Sequence, residues 1–500
     1  MVFAAAMVAA AGCSRSTTPS TPTGTAQSIT PGRTSLLLIV IDTARADHFS
    51  MYGYPHETTP FLDRWAEQGV RFDNAFSNSS WTRPGMAALL TGRYAREVGV
   101  YEERYDRLPD DAVTLAERMK AQGYLTLGVN ANPNVNAWFG FDQGFDEYGD
   151  SGRVWRWMAK EGAGEPVRKG HQDIETAETV NQRLLALLDH HEASLASQPW
   201  FLQLLYIDPH APYQAPAKHR RAVGSTGVNK EYDAELHYVD AAIGDAMAAL
   251  QKRGMLDDTL VIITSDHGEG LDSYPAVPLS DRHGDTVYDA MVKIPLVFIH
   301  PSLKPGVVPD LVGSIDVVPT TMALLGSATE DVSGTSMAAR LMGAGEETGH
   351  PGFVISESDW QISNKVSVRT ASHRYIENLD SEAYQQQGLF EGRSLKPAQR
   401  RFLKLLPPRE LYALAPGTLE ALKDERLSED VAVGQELAAV LADWKARTPL
   451  RPPLGRSEDD VFTLKTGEVV PAVNTAAAPA LPDDMRSALK ALGYLDEESP

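Results

Sequence analysis

Leu36-Leu37-Leu38-Ile39-Val40-Ile41-Asp42-Thr43 is an unbroken apolar run closed by a carboxylate. A strand covered on both faces needs such a run, because neither side of it meets water. Working outward, the same grammar repeats. Thr59 offers an N-cap, Pro60 a first helical position, and Phe61, Leu62, Trp65 and Ala66 an apolar stripe that Gly69 ends. A second helix is expected over Ala112 to Ala121, stopping at Gly123 and feeding a strand at Leu125 to Val129. Helical spacing over Ile174 to Leu188 feeds Phe201 to Ile207, and a long helix from about Tyr232 to Leu250 feeds Thr259 to Thr264. Pro295 to His300 reads as a last strong strand. Strands separated by helices predict an α/β fold, a large and mainly parallel sheet sandwiched by helices.

The residues that follow these strands carry the chemistry. Asp42 follows the first, Asn130 the next, Asp208 and His210 the strand ending at Ile207, and Asp266-His267 the strand ending at Thr264. In open α/β sheets the ligand crevice lies beyond the carboxyl ends of the strands. Taken singly, any of these aspartates reads as a helix cap or turn residue. Taken together they bring carboxylate and imidazole to one edge, a donor set suited to a divalent ion: Mn or Zn, or Ca or Mg where oxygen dominates.

Composition narrows the partners. The 500 residues are 43% hydrophobic and 23% charged, with 46 basic against 67 acidic side chains and a net charge of −21. So acidic a body repels phosphate backbones, and no nucleic-acid partner is expected. One cysteine excludes an internal disulfide framework and a cysteine-based zinc site. That cysteine ends the apolar opening at Ala11-Gly12-Cys13, and a Ser/Thr/Pro-rich stretch follows it through Gly32. The opening resembles a bacterial lipoprotein signal, which implies a lipidated Cys13, residues 1–33 as signal and tether, and an extracytoplasmic protein held to a membrane by its N-terminal lipid. The apolar run is too short to span a bilayer, which takes ~20 residues.

Several motifs follow one another in order. They are Ile41-Asp42-Thr43-Ala44-Arg45-Ala46-Asp47-His48 with Tyr52-Gly53-Tyr54, then Ser80-Trp81-Thr82-Arg83-Pro84 running to Leu89-Leu90-Thr91-Gly92. Asp208-Pro209-His210, Ser265-Asp266-His267-Gly268-Glu269, His283-Gly284, Tyr288-Asp289, Asp316-Val317-Val318-Pro319-Thr320 and Glu410-Leu411-Tyr412 continue the series. In this order they resemble the sulfatase family of the alkaline phosphatase superfamily. The resemblance implies an alkaline phosphatase-like fold, an anionic ester substrate and a divalent metal. Two departures stand out. The position of the family's Cys or Ser, the precursor of formylglycine, is Thr82, and the usual Arg falls at Met86. The family's Gly-Lys-Trp-His segment is absent, since Gly123-Tyr124-Leu125-Thr126 continues to Asn130-Ala131-Asn132, so the sulfate-gripping lysine is missing.

Thr-nucleophile members of the superfamily, such as nucleotide phosphodiesterases and lipoteichoic acid synthases, point to Asp42, Thr82, Asp266 and His267 as metal ligands, with Thr82 also the nucleophile. His210 and His283 are expected to protonate the leaving oxygen or bind the transferred anion. Asp208, His210 and His283 offer an alternative second ion site, but the Asp208–His210 spacing resembles sulfatases more than two-zinc phosphodiesterases, so one ion is expected. The catalytic domain is placed at 34–343. A smaller C-terminal α+β subdomain is placed at 344–447, with strands at Phe353 to Glu357, Val366 to Arg369 and Tyr375-Ile376 and a helix at Glu429 to Lys445. An extended tail over 448–500 ends in a short helix at Asp483 to Leu492. Three functions follow: a hydrolase of sulfate or phosphate esters, a phosphoryl transferase acting on an envelope substrate, and a non-catalytic binding lipoprotein.

Overall fold

The computed structural model describes residues 29–101, 106–150, 176–271, 273, 282–343, 349–360, 363–387, 395–414 and 431–451, together with 461–463, 469–471 and 483–492. Cys13, and the tail apart from 448–451 and those last stretches, lie outside the described residues. Eight strands form the main sheet: β1 Ser35–Ile41, β2 Val70–Phe76, β3 Leu125–Asn130, β4 Glu147–Gly149, β5 Trp200–Tyr206, β6 Thr259–Thr264, β7 Leu296–Ile299 and β8 Gly306–Gly313. Their order is β4-β3-β5-β1-β6-β7-β2-β8. All pairs are parallel except those of β7, which runs against both β6 and β2.

The apolar runs take the centre. Every residue of β1, β3, β5, β6 and β7 is buried. The chain leaves β1 toward β2 on one side and returns to β3 on the other, so β1, flanked by β5 and β6, marks the reversal of strand order where α/β sheets bind ligands. Three sheet strands were not anticipated: β2, β8 and the short β4 at the far edge. β2 alternates buried and half-buried residues, and β8 is an edge strand with Val307 exposed. Helix bounds shift modestly. The second helix runs from Leu115 to Ala121 behind a Thr114 capping box, and the long helix extends over Gly227–Lys252.

A separate four-stranded sheet holds β9 Phe353–Trp360, β10 Ser363–Thr370, β11 His373–Asn378 and β12 Arg409–Ala413 in the order β12-β11-β10-β9, with antiparallel pairs. The helix Ala432–Arg447 backs it through Leu437, Leu441 and Trp444, which share one apolar cluster with Ile355, Val366, Val368 and Tyr375. This sheet docks on the main one beside the segment that leads into Thr82. The Asn78 side chain donates to the Ile355 carbonyl at 2.7 Å, and Ser356 Oγ donates to the Ser77 carbonyl at 2.6 Å.

Candidate active site

Strand ends build the site. Asp42 leaves β1, Asp266 and His267 leave the adjacent β6, and the helix Thr82–Thr91 enters after β2. All four side chains, Asp42, Thr82, Asp266 and His267, are fully buried and meet. His267 Nε2 lies 3.1 Å from Thr82 Oγ1, 3.4 Å from Asp266 Oδ2 and 3.6 Å from Asp42 Oδ1. The helix that carries Thr82 reaches this close because residue 85 is glycine. A Cβ there would sit 2.6 Å from the Asp266 carbonyl oxygen, which also accepts a hydrogen bond from Ser77 Oγ. Thr82 does not cap its helix. It is the first helical residue, following Trp81 at the N-cap, and its hydroxyl faces His267 and, at 3.4 Å, Asn132 Nδ2.

The electrostatics explain what these donors require. Burial and then the neighbouring Asp266 charge push Asp42 well above the usual carboxylate range, and burial raises Asp266 as well. Burial holds His267 down at about 4, against the pull of Asp266, so its imidazole is neutral. Asp266 Oδ1 is satisfied by the backbone N–H groups of Thr43 at 3.2 Å and His267 at 2.9 Å. Asp42 Oδ1 and Asp266 Oδ2 have no hydrogen-bond partner among the described residues. Two dry carboxylates with one orphaned oxygen each, a neutral imidazole nitrogen and a hydroxyl fit a divalent cation, since a cation between them cancels the repulsion that burial magnifies. His267 Nδ1 sits 2.8 Å from the Gly268 carbonyl, an arrangement that leaves Nε2 as the ligand nitrogen.

His210 and His283 stand beside this set. The ring centroids of His210 and His283 are 4.8 Å apart, and those of His283 and His267 4.6 Å. Burial holds both His210 and His283 at about 3, helped for His210 by His283 and for His283 by Arg282. They are therefore neutral imidazoles, and an anionic ester bound beside them would raise both. Asp208 is diverted. Its Oδ1 accepts from the Ala177 N–H at 3.1 Å, at the start of the helix Ala177–His190. Asn130 also turns inward, donating to the carbonyls of Asn132 and Val135 at 2.8 and 2.7 Å. Arg45 is committed to scaffolding through Asp47 and the carbonyls of Glu269 and Gly270. Met86, at the position of the family's arginine, is buried in the core.

Two residues given no role from sequence belong to the site. Asn132 donates to Asp42 Oδ2 and reaches Thr82 from the Asn-rich turn after β3. Glu269, 1% exposed, faces His283 Nδ1 at 3.2 Å. The Ser265–Glu269 motif held a signal for Glu269, because a carboxylate beside a buried strand end is costly to bury without a partner. Arg83, next to Thr82, lies with its guanidinium 3.7 Å above the Phe139 ring and donates to Asn134 Oδ1 at 2.8 Å.

Comparison with known proteins gives the family. The Sulfatase family model matches residues 34–327. Arylsulfatase A of Bos taurus is 28% identical over 389 residues, which cover 68% of this chain and 74% of that protein. Choline-sulfatase of Rhizobium meliloti is 22% identical over 417 residues, covering 70% and 79%. In fold, the phosphonate monoester hydrolase of Silicibacter pomeroyi superposes with a TM-score of 0.60 at 21% identity, over 88% of this chain and 99% of that one. The chain belongs to the sulfatase family of the alkaline phosphatase superfamily.

Proposed function

We propose that this protein is a metal-dependent hydrolase of sulfate or phosphate esters that uses the unmodified Thr82 hydroxyl as its nucleophile. The observation that carries the reading is the 3.1 Å approach of Thr82 Oγ1 to His267 Nε2, at the point where the orphaned oxygens of Asp42 and Asp266 converge. Asp42, Asp266, His267 and Thr82 would hold a single divalent ion, for which Ca, Mn, Mg and Zn are all chemically suitable. Such an ion, when bound, supplies Lewis acidity that lowers the pKa of a hydroxyl and neutralises ester oxygens.

The chain's own residues supply the rest. Gly85 lets the helix carrying Thr82 press against Asp266 and so fixes the hydroxyl's position. Asn132 offers an amide N–H beside Thr82, where it steadies the negative charge that the oxygen carries before it attacks. The first turn of the helix Thr82–Thr91 turns its positive end to the same place. His210 and His283 gain basicity once the anionic ester lies beside them and can then deliver a proton to the leaving oxygen. A phosphoryl transferase on an envelope substrate would use the same residues, with another acceptor in place of water. The intact Asp42, Thr82, Asp266 and His267 set argues against a non-catalytic binding lipoprotein.

A lipid anchor at Cys13 and an extracytoplasmic location belong to the same reading, supported by the apolar stretch before Cys13 and the polar stretch after it. Among the described residues no helix is long and apolar enough to cross a membrane. The reading is tested by assaying purified, metal-loaded protein on aryl sulfate, phosphate monoester and phosphodiester panels. Turnover of at least one class is expected. Thr82→Ala should lose roughly three orders of magnitude or more, while Thr82→Ser keeps measurable turnover. A wild-type rate in Thr82→Ala would mean that water attacks directly.

A further inference from the structure

His283 has an anchored backbone. The Gly284 N–H donates to the Ser80 carbonyl at 2.8 Å. From the C-terminal sheet, Ser358 Oγ donates to the Gly284 carbonyl at 2.6 Å and Ser363 Oγ to the Asp285 carbonyl at 2.5 Å. Gly284 adopts φ +89°, and a Cβ there would fall 2.6 Å from the Trp360 ring. These contacts fix where the His283 ring starts, but not which of its nitrogens carries the proton or which way the ring is turned.

Glu269 is placed to decide both. Its Oε2 lies 3.2 Å from His283 Nδ1, and its Oε1 accepts from the Gly270 N–H at 3.0 Å. Its own backbone is pinned on both sides, since its N–H donates to the Ala290 carbonyl at 3.1 Å and its carbonyl accepts from Arg45 Nη1 at 3.0 Å. Arg45 is in turn held by Asp47 at 2.8 Å. A carboxylate this rigid accepts only a proton on Nδ1, which makes Nε2 the basic nitrogen of the neutral ring. The same logic orients metal-bound histidines and the histidine of hydrolase triads.

We propose that Glu269 is a positioning residue that holds the Nδ1 proton of His283 and so presents Nε2 for proton transfer to the leaving group. The proposal rests on the hydrolase reading for its kinetic consequence and on geometry alone for the tautomer. Nitrogen-15 NMR of histidine-labelled full-length protein, loaded with a diamagnetic divalent ion, reads the tautomer without reference to turnover. The wild type should show His283 protonated at Nδ1. Glu269→Leu should give a mixture, and Glu269→Gln, whose amide oxygen still accepts, should restore the wild-type form.

Kinetically, Glu269→Leu should lower kcat by about 10- to 100-fold with little change in KM, and Glu269→Gln should recover most of it. In a His283→Ala background, Glu269→Leu should add no more than about twofold, because residues acting as a unit are not additive. The neutral ring carries its proton on either Nδ1 or Nε2, so the contrary result is definite: His283 protonated at Nε2 in the wild type overturns the proposal, as does a full additional loss in the His283→Ala background. Should Glu269→Leu fail to fold, the wild-type tautomer and the Glu269→Gln kinetics still decide. Failure of the hydrolase reading shows separately, as no turnover of aryl sulfate, phosphate monoester or phosphodiester by the metal-loaded wild type.

Discussion

The two walls of the site differ in how closely they follow the family. On the β1/β6 wall, Asp42, Asp266 and His267 stand at strand ends as the motifs imply, and their geometry suits a cation. On the wall formed by the turn after β3 and the helix Thr82–Thr91, Asn132, Asn134, Arg83 and Met86 stand where the resemblance leads one to look for a gripping lysine and arginine. The cation wall is kept and the anion wall is rebuilt. Rigid strand ends fix the first, since every residue of β1 and β6 is buried. The second is a turn and a helix start, where side chains can be exchanged without disturbing the sheet.

Breaking the cation wall should have the largest effect. Asp42→Asn and Asp266→Asn are each expected to lower activity by about 10³-fold or more and to lose bound ion, read by elemental analysis. The same carboxylates set a pH signature. Their folded pKa values are raised, chiefly by burial, so the ion-free folded protein retains protons that the unfolded chain releases above ~4. Stability of chelator-treated protein should therefore fall as pH rises through that window. Added divalent ion should raise the melting temperature most at the alkaline end, where the carboxylates are free to bind it. Asp266→Asn should flatten both trends. Full ion occupancy in both variants would contradict the assignment.

The rebuilt wall should respond less. Asn132→Ala removes one donor to Asp42 and Thr82 and is expected to cost about 10- to 100-fold in kcat/KM while leaving ion content unchanged. Loss of the ion in that variant would merge the two walls into one unit and remove the contrast.

The same contrast governs what could be read from sequence. The strands β1, β3, β5 and β6 are legible because burial on both faces forces unbroken apolar runs. β2 escapes because Arg71, Asp73 and Asn74 interrupt its pattern, as a strand near the sheet's edge allows. Asp42, Thr82, Asp266 and His267 were legible from strand ends and motif order, and the structure brings them together. Asp208 was indistinguishable from them in sequence, yet it caps the start of a helix. Asn132 was hidden because its role depends on how the Asn-rich turn folds: Asn130 Oδ1 accepts the Asn132 N–H at 2.9 Å, and Asn132 Oδ1 accepts the Asn134 N–H at 2.8 Å. No spacing rule predicts which asparagine of such a run points outward.

The central claim is that residue 82 is an unmodified threonine that takes the transferred group. The direct measurement is the mass of the peptide containing Thr82, recorded first from resting protein and then from protein quenched in acid during turnover. The account predicts the genetic mass at rest and, after the quench, a phosphoryl or sulfuryl group located on Thr82 by fragmentation. An oxidised side chain at position 82 in the resting protein, or steady turnover in Thr82→Ala, would contradict it.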